Sequence, residues 1–81
     1  MGSQEALHDK RYSRFVQRLC KAREEAELSQ EAVAEAIGRS QRFVSRCETG
    51  ERRVDVVEFR DFCRAYGLPP SYFLDGFPEE S

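Results

Sequence analysis

An all-α fold of five short helices is the architecture that this sequence predicts. Apolar residues recur at the three- and four-residue spacing of a helix, and no stretch alternates as a strand does. Capping residues and glycines separate these segments at helix-length intervals. A chain of 81 residues suits one domain with a small core. We expect that domain over residues 10–75, between a frayed leader at residues 1–9 and an acidic tail at residues 76–81.

The first predicted helix runs from about Lys10 to Ala26, and the second runs from Gln30 to Ile37. The apolar stripe of the first helix comprises Phe15, Val16, Leu19, Ala22 and Ala26. Ser29 is placed to cap the second helix, because its hydroxyl can accept a first-turn N–H. The buried side of the second helix is expected to comprise Leu28, Val33, Ala34 and Ile37.

The third predicted helix, Gln41 to Thr49, divides its residues between two arcs when each residue turns about 100°. The inward arc comprises Phe43, Val44, Cys47 and Glu48. The outward arc comprises Gln41, Arg42, Ser45, Arg46 and Thr49, which are side-chain types that read base edges and phosphates. Gly38 can end the second helix and Ser40 can cap the third. The connection is so short that the two helices must cross sharply, as in a helix-turn-helix unit.

The fourth predicted helix opens at a capping box formed by Asp55 and Glu58 and continues to about Tyr66. Its core arc is expected to comprise Val56, Phe59, Phe62, Cys63 and Tyr66. Pro70 suits the first position of a short fifth helix, which is predicted over residues 71–74.

A charged pair is predicted between the first and third helices. Arg23 lies in the middle of an apolar stripe, where a charge is costly unless it meets a partner. Glu48 lies on the inward arc of its own helix and is the obvious candidate. The alternative is that Arg23 extends along the surface to solvent.

The net charge of −2 at first counts against nucleic-acid binding, for which a basic domain is expected. The charges are, however, grouped in blocks of alternating sign. Residues 1–23 carry +4, residues 24–35 carry −5, residues 39–53 carry +3 and residues 55–81 carry −4. Because the third helix lies inside a positive block, a local basic surface remains compatible with DNA.

Metal, disulfide and membrane chemistry find little support in the sequence. Cys20, Cys47 and Cys63 are widely spaced, and His8 is the single histidine, so no zinc ligand pattern or disulfide framework is formed. No apolar run approaches the roughly 20 residues of a membrane helix, and no signal peptide is evident. We therefore expect reduced cysteines in a cytoplasmic protein without a metal, a cofactor or a small-molecule ligand.

Residues 12–75 also carry a specific motif pattern. It comprises Arg23-Glu24-Glu25, the stretch LSQEAVAEAIGRSQRFVSRCETGERR and the stretch VVEFRDFCRAYGLPPSYFL. This text closely resembles the lambda repressor-like helix-turn-helix family, also called the Cro/C1 or XRE family. Two positions depart from the family pattern, since Cys47 replaces a larger aliphatic residue and Val54 replaces a proline.

The resemblance implies a five-helix domain that binds double-stranded operator DNA, usually as a two-fold homodimer, with the third helix in the major groove. The positions implied to contact bases are Gln41, Arg42 and Arg46. Those implied to contact the DNA backbone are Gln30, Ser40, Ser45, Thr49, Arg52 and Arg53. The family glutamine at Gln30 can also brace the first recognition residue, and the family often has the Arg23–Glu48 pair.

Several residues keep alternative interpretations. Phe43 either packs against neighbouring helices or stacks on a sugar, and Arg42 and Arg46 either bind guanines or remain solvated. The basic residues at the start of the first helix either contact phosphates or keep that helix soluble. Apolar side chains near the end of the chain either form the dimer interface or pack in the core; these are Tyr72, Phe73, Leu74 and Phe77.

The leading hypothesis is a sequence-specific transcriptional regulator, more a repressor than an activator. The second is a protein-interaction module of the antitoxin type, which keeps the fold and binds a protein partner with its acidic surface. An enzyme is the weakest hypothesis, because His8 lies in the predicted leader and no nucleophile has a basic partner nearby in the sequence.

Overall fold

The computed structural model describes residues 9–75, and this part of the chain forms five helices and no strand. The helices are α1 (Lys10–Glu25), α2 (Gln30–Ile37), α3 (Gln41–Thr49), α4 (Val56–Tyr66) and α5 (Pro70–Leu74). The predicted all-α, five-helix fold is therefore correct. The proposed leader and tail lie outside the described residues, apart from residue 9.

Side-chain caps fix where the helices begin. Asp9, which the sequence assigned to the leader, caps α1 because its Oδ1 accepts hydrogen bonds from the backbone N–H groups of residues 11 and 12. Ser29 Oγ accepts from the backbone of residue 32, and Ser40 Oγ accepts from the backbone of residue 43. The C-cap glycine of α2, Gly38, has a φ of 73°, which is the left-handed conformation that favours glycine. The ends of α2 and α3 are thus set by short-range chemistry, and the turn between them is fixed.

The core forms where α1, α2, α3 and α4 converge, and α5 closes it against α1. The largest fully buried side chains are Phe62, Phe73, Leu19, Val33, Val44 and Cys47. Helix α3 packs against both α2 and α1, so its inward arc is covered and its orientation is fixed by two neighbours. The rigid placement of α3 is the feature of this fold that matters most for function.

Three apolar predictions need correction. Ala26 was expected on the apolar stripe of the first helix, but α1 ends at Glu25 and Ala26 is exposed. Val56 was expected in the core, but it is 78% exposed at the first position of α4. Phe73 was expected to help form a dimer interface, but it is 0% exposed and packs edge-on against Phe59 within the domain's own core. Leu74 is exposed and Tyr72 is partly buried, whereas Phe77 lies outside the described residues.

Candidate nucleic-acid interface

Helix α3 presents a polar surface to solvent. Gln41, Arg42 and Thr49 are exposed, and Ser45 and Arg46 are partly exposed. The opposite side of the helix is buried, with Phe43, Val44 and Cys47 in the core. The division between an apolar and a polar arc, which the sequence predicted, therefore corresponds to a division between core and surface.

The charged pair between α1 and α3 is present. Arg23 Nε donates to Glu48 Oε2 at 2.7 Å, and Arg23 Nη2 donates to Oε1 at 3.1 Å. A third hydrogen bond, from Arg23 Nη1 to the carbonyl of Leu28 at 2.9 Å, holds the guanidinium group in place. The two side chains are only 19% and 5% exposed, so Arg23 does not extend to solvent. The hydrogen bond to Glu48 raises the pKa of Arg23, and the pair locks α3 onto α1.

A chain of hydrogen bonds continues from this pair to the first residue of α3. Gln30 Nε2 donates to Glu48 Oε1 at 2.9 Å, and Gln41 Nε2 donates to Gln30 Oε1 at 2.6 Å. An ionised carboxylate only accepts hydrogen bonds, so Glu48 requires the amide nitrogen of Gln30 to face it. The amide oxygen of Gln30 then faces Gln41. No other described residue occupies the remaining N–H or the oxygen of the Gln41 amide, and both can meet a ligand.

The two arginines of the polar arc differ in their surroundings. Arg42 makes no hydrogen bond or ion pair within residues 9–75, and its side chain is free to reach a ligand. Arg46 lies next to Glu51, with 3.6 Å between Nε and Oε2. Its Nε is buried and has no hydrogen-bond partner among the described residues. An anion or a base acceptor at Arg46 would therefore compete with Glu51.

The hydroxyl groups at the ends of α3 are partly engaged by the protein itself. Ser40 Oγ accepts its capping hydrogen bond at 3.1 Å, and its hydrogen remains available to a ligand. Thr49 Oγ1 donates to the carbonyl of Arg46 at 3.1 Å and accepts from the backbone of Glu51 at 3.4 Å. Ser45 lies between these ends and is partly buried. Ser40 is thus better prepared than Thr49 to donate to a phosphate.

Further arginines lie in the two segments that flank α3. Arg53 is exposed, and its Cζ lies 4.4 Å from the ring centroid of Tyr12. Arg52 Nη1 donates to Glu58 Oε1 at 2.8 Å, and Arg39 Nη1 donates to Glu58 Oε2 at 3.1 Å. The sequence interpretation did not single out Arg39, which lies beside Arg52 on this carboxylate. Its place in the positive block directly before the cap Ser40 was the available signal.

Glu58 is a buried carboxylate held by several donors. Burial acts to raise its pKa, but hydrogen bonds from Arg52, from the backbone N–H of Asp55 and from Arg39 outweigh burial and lower the pKa from 4.5 to about 2. Glu58 therefore stays ionised at every pH at which the domain is expected to work.

Phe43 belongs to the core rather than to a sugar-stacking surface. It is buried, and its ring lies nearly parallel to that of Phe62 with 6.3 Å between centroids. The packing interpretation of this residue is therefore correct for the protein without DNA.

Other kinds of site are not supported by the described part of the chain. No group of histidine, cysteine, aspartate and glutamate side chains within residues 9–75 is arranged to hold a metal ion. Cys20, Cys47 and Cys63 are free thiols, and burial raises the pKa of Cys47 to about 11, which leaves it protonated and unreactive. None of the described helices has the length and apolar character needed to cross a membrane.

Comparisons with known proteins agree with this geometry. The family model described as a helix-turn-helix domain matches residues 14–71. The chain is also similar to a solved structure titled "XRE-family like protein from Pseudomonas syringae pv. tomato str. DC3000". The two sequences are 40% identical, the match covers 91% of this chain and 90% of that chain, and the TM-score is 0.77. No curated protein matches this chain. The matched helix-turn-helix unit and its outward polar helix show that this chain belongs to the XRE-type family of helix-turn-helix DNA-binding regulators.

Proposed function

We propose that this protein is a sequence-specific transcriptional repressor that inserts α3 into the major groove of its operator. The observation that carries this proposal is the chain of hydrogen bonds from Arg23 through Glu48 and Gln30 to Gln41. It holds an exposed amide in one orientation at the leading end of an otherwise polar helix surface. A side chain that is fixed before binding loses less conformational entropy when it meets a base.

Three side chains of α3 are proposed to read bases. Arg42 and Arg46 each have a guanidinium fork that fits the O6 and N7 atoms of guanine, and Gln41 has an amide that fits the N6 and N7 atoms of adenine. Each such pairing provides about 1–3 kcal/mol of discrimination against a wrong base. Arg42 is free in the described part of the chain and is expected to contribute more than Arg46, which must first leave Glu51.

The contacts with the DNA backbone are proposed to surround these readers. They comprise Gln30, Ser40, Ser45, Thr49, Arg52 and Arg53. The support for this set is its position, since these residues lie on α2, on α3 or in the segments that flank α3. The positive block of residues 39–53 supplies the local charge that the acidic chain as a whole lacks.

A two-fold homodimer is proposed to bind the operator, with about 34 Å between the two recognition helices. Apolar side chains that the domain leaves uncovered support this proposal. Val56 is 78% exposed, Val57 is 63% exposed and Leu74 is 45% exposed. Since Phe73 is used by the core, we assign the apolar contact to Leu74 and the start of α4, with Tyr72 at its edge.

Selection of bound duplexes from a random library tests the proposal directly. The purified protein is expected to enrich one site with two inverted half-sites, and affinity for that site should fall as salt is raised from about 50 mM to about 200 mM. Absence of an enriched site together with salt-independent binding would sink the repressor assignment. We place this activity in the cytoplasm, where the three free thiols remain reduced.

The exposed valines also favour a second candidate, a protein-interaction module of the antitoxin type. Val56 and Val57 offer apolar surface that a protein partner can cover. This candidate predicts that no duplex is enriched and that substitution of Arg42 has no effect on partner binding. The selection experiment therefore separates the two candidates.

A further inference from the structure

Two arginines from the segments that flank α3 bring their guanidinium groups to one carboxylate. Arg39 lies in the turn that precedes α3, and Arg52 lies in the loop that follows it. Glu58, in the first turn of α4, accepts from Arg39 Nη1 on one oxygen and from Arg52 Nη1 on the other. A single buried side chain therefore brings together two arginines that the recognition helix separates along the sequence.

The ring of Phe43 fixes the same two groups from a second direction. Arg39 Cζ lies 3.8 Å from the ring centroid, and Arg52 Cζ lies 4.8 Å from it. Both distances are within the range of a cation–π interaction. Phe43 and Glu58 are themselves buried, so the surface on which the guanidinium groups rest is part of the core. Folding has therefore already removed much of the rotamer freedom that an arginine loses when it binds a ligand.

Among residues 9–75, most of the donors of both arginines have no partner. A guanidinium group has five N–H donors. Arg39 donates to Glu58 through Nη1 alone. Arg52 also uses only its Nη1, which donates both to Glu58 and to the carbonyl of Arg53. The side chains of Arg39 and Arg52 are still 40% and 38% exposed. Two cations facing one anion also leave one positive charge in excess.

We infer that Arg39 and Arg52 together form a two-arginine phosphate site beside α3, and that Glu58 is the residue that positions both. The ligand is the phosphodiester backbone that borders the groove, held through the free sides of the two guanidinium forks. The inference rests on the proposed function, because it requires α3 to enter a groove of DNA. It adds Arg39 to the backbone contacts and gives Glu58 a role through other residues rather than by direct contact.

Net charge alone predicts the opposite effect on DNA affinity when Glu58 is removed. A carboxylate near DNA repels phosphates, so its removal should strengthen binding if charge alone matters. If Glu58 acts by positioning, its removal weakens binding although the protein becomes more positive. Glu58→Gln separates the two cases, because glutamine can replace glutamate in a capping box and α4 keeps its start.

The experiment measures affinity for the selected operator duplex and for an unrelated duplex, each at about 50 mM and about 200 mM salt. Arg39→Gln and Arg52→Gln are expected to weaken both duplexes by a similar factor, and each is expected to reduce the slope of log affinity against log salt by about 0.9. Glu58→Gln is expected to weaken both duplexes severalfold. Lys21→Gln is the control, because it removes a positive charge on the side of α1 that faces α5. It should not weaken binding to either duplex.

A double-variant comparison distinguishes positioning from general stability. In an Arg39→Gln/Arg52→Gln background, Glu58→Gln should cause no further loss of affinity, since it has no guanidinium group left to hold. A persisting loss, or a Glu58→Gln variant that binds as tightly as the parent, overturns the inference. Urea unfolding checks the fold of each variant. Arg39→Lys and Arg52→Lys provide a second route, because they keep the charge and lose the fork, and they should weaken binding with an unchanged salt slope.

The result for the parent protein separates this inference from the function on which it rests. If the parent selects an operator but Arg39→Gln leaves both affinity and salt slope unchanged, the phosphate site is wrong and the repressor assignment stands. If the parent binds neither duplex, the repressor assignment fails and the phosphate site fails with it.

Discussion

Gln41 shows how one residue's chemistry is set by groups that it does not touch. Its amide orientation follows from the carboxylate of Glu48, which acts through Gln30. The Arg23–Glu48 contact at the base of this chain was predictable, because both residues lie on the inward arcs of amphipathic helices. The contact between Gln30 and Gln41 was suggested only by the family resemblance, since the apolar pattern carries no information about side-chain amides.

Arg42, which has no partner within residues 9–75, leads to a prediction about base preference. Arg42→Ala should relax sequence choice at one position in each half-site and lower operator affinity by about 1–3 kcal/mol, because a bidentate contact with guanine is lost. Selection from a random library, repeated with the variant, measures the effect. Arg64→Ala, on an exposed position of α4, is the matched control. Unchanged base preference in the Arg42 variant would show that Arg42 does not contact a base.

Burial of the Arg23–Glu48 pair leads to a prediction about stability. Glu48→Ala should lower the free energy of unfolding by about 3 kcal/mol, because it leaves the guanidinium group of Arg23 without its partner in a poorly solvated place. Glu51→Ala removes a carboxylate whose side chain is 58% exposed, and it should cost less than about 1 kcal/mol. Urea unfolding of both variants gives the comparison. Equal losses would mean that the buried pair has no special contribution.

At the scale of helices, α4 combines a capping function with an electrostatic one. Asp55 accepts from the backbone of Glu58, and Glu58 accepts from the backbone of Asp55, which completes the capping box that the sequence predicted. The same glutamate also binds Arg39 and Arg52. These additional partners are 19 and 6 residues away along the chain, so the local signature did not reveal them.

The lowered pKa of Glu58 gives α4 an acid-sensitive contribution to stability. Because the folded-state pKa of about 2 lies below the ordinary value of 4.5, the contribution is complete above 4.5 and is lost as the pH falls toward 2. Its size is about 3 kcal/mol at roughly 1.4 kcal/mol per pKa unit. Urea unfolding from about pH 6 to about pH 2 should therefore show a steeper loss for the parent than for Glu58→Gln. Parallel pH profiles would contradict the assignment.

Helix boundaries were predictable and apolar placements were less so, for a physical reason. The starts of α2, α3 and α4 depend on caps within a few residues, and the predicted starts agree with the structure. Burial depends on what packs from elsewhere in the chain. Val56, at the start of α4, is left exposed by the other described residues. Phe73 packs against Phe15 and Phe59, which come from two other helices. Periodicity alone identifies an apolar side chain without identifying its neighbour.

For the molecule as a whole, the overall charge is a poor guide to its ligand. The chain is acidic, with a net charge of −2, yet five arginines lie between residues 39 and 53. Of the glutamates in and just after this region, Glu48 and Glu58 are turned toward structural partners, whereas Glu51 is exposed next to Arg46. The acidic side chains therefore do not screen the outer surface uniformly. Segmental charge together with side-chain direction is the better indicator of a DNA-binding surface.

The exposed apolar patch leads to a prediction about assembly. Leu74→Glu and Val56→Glu should each shift a homodimer toward monomer and weaken operator binding, because a charge replaces apolar surface at the proposed interface. Sedimentation measurements over a range of concentrations give the oligomeric state without DNA. Ala36→Glu adds the same charge to an exposed position on α2 and should leave the state unchanged. A parent protein that stays monomeric throughout would rule out this interface.

The Gln30 side chain limits how the operator preference of this protein can be redesigned. Its amide oxygen points at position 41 and needs a donor there, whatever base the new residue is meant to recognise. Asparagine, lysine or arginine at position 41 can satisfy it, whereas glutamate would set two acceptors against each other. Placing an acidic residue at position 41 to recognise a base would therefore also require a change of Gln30. Glu48 would then need a new hydrogen-bond donor in place of the Gln30 amide.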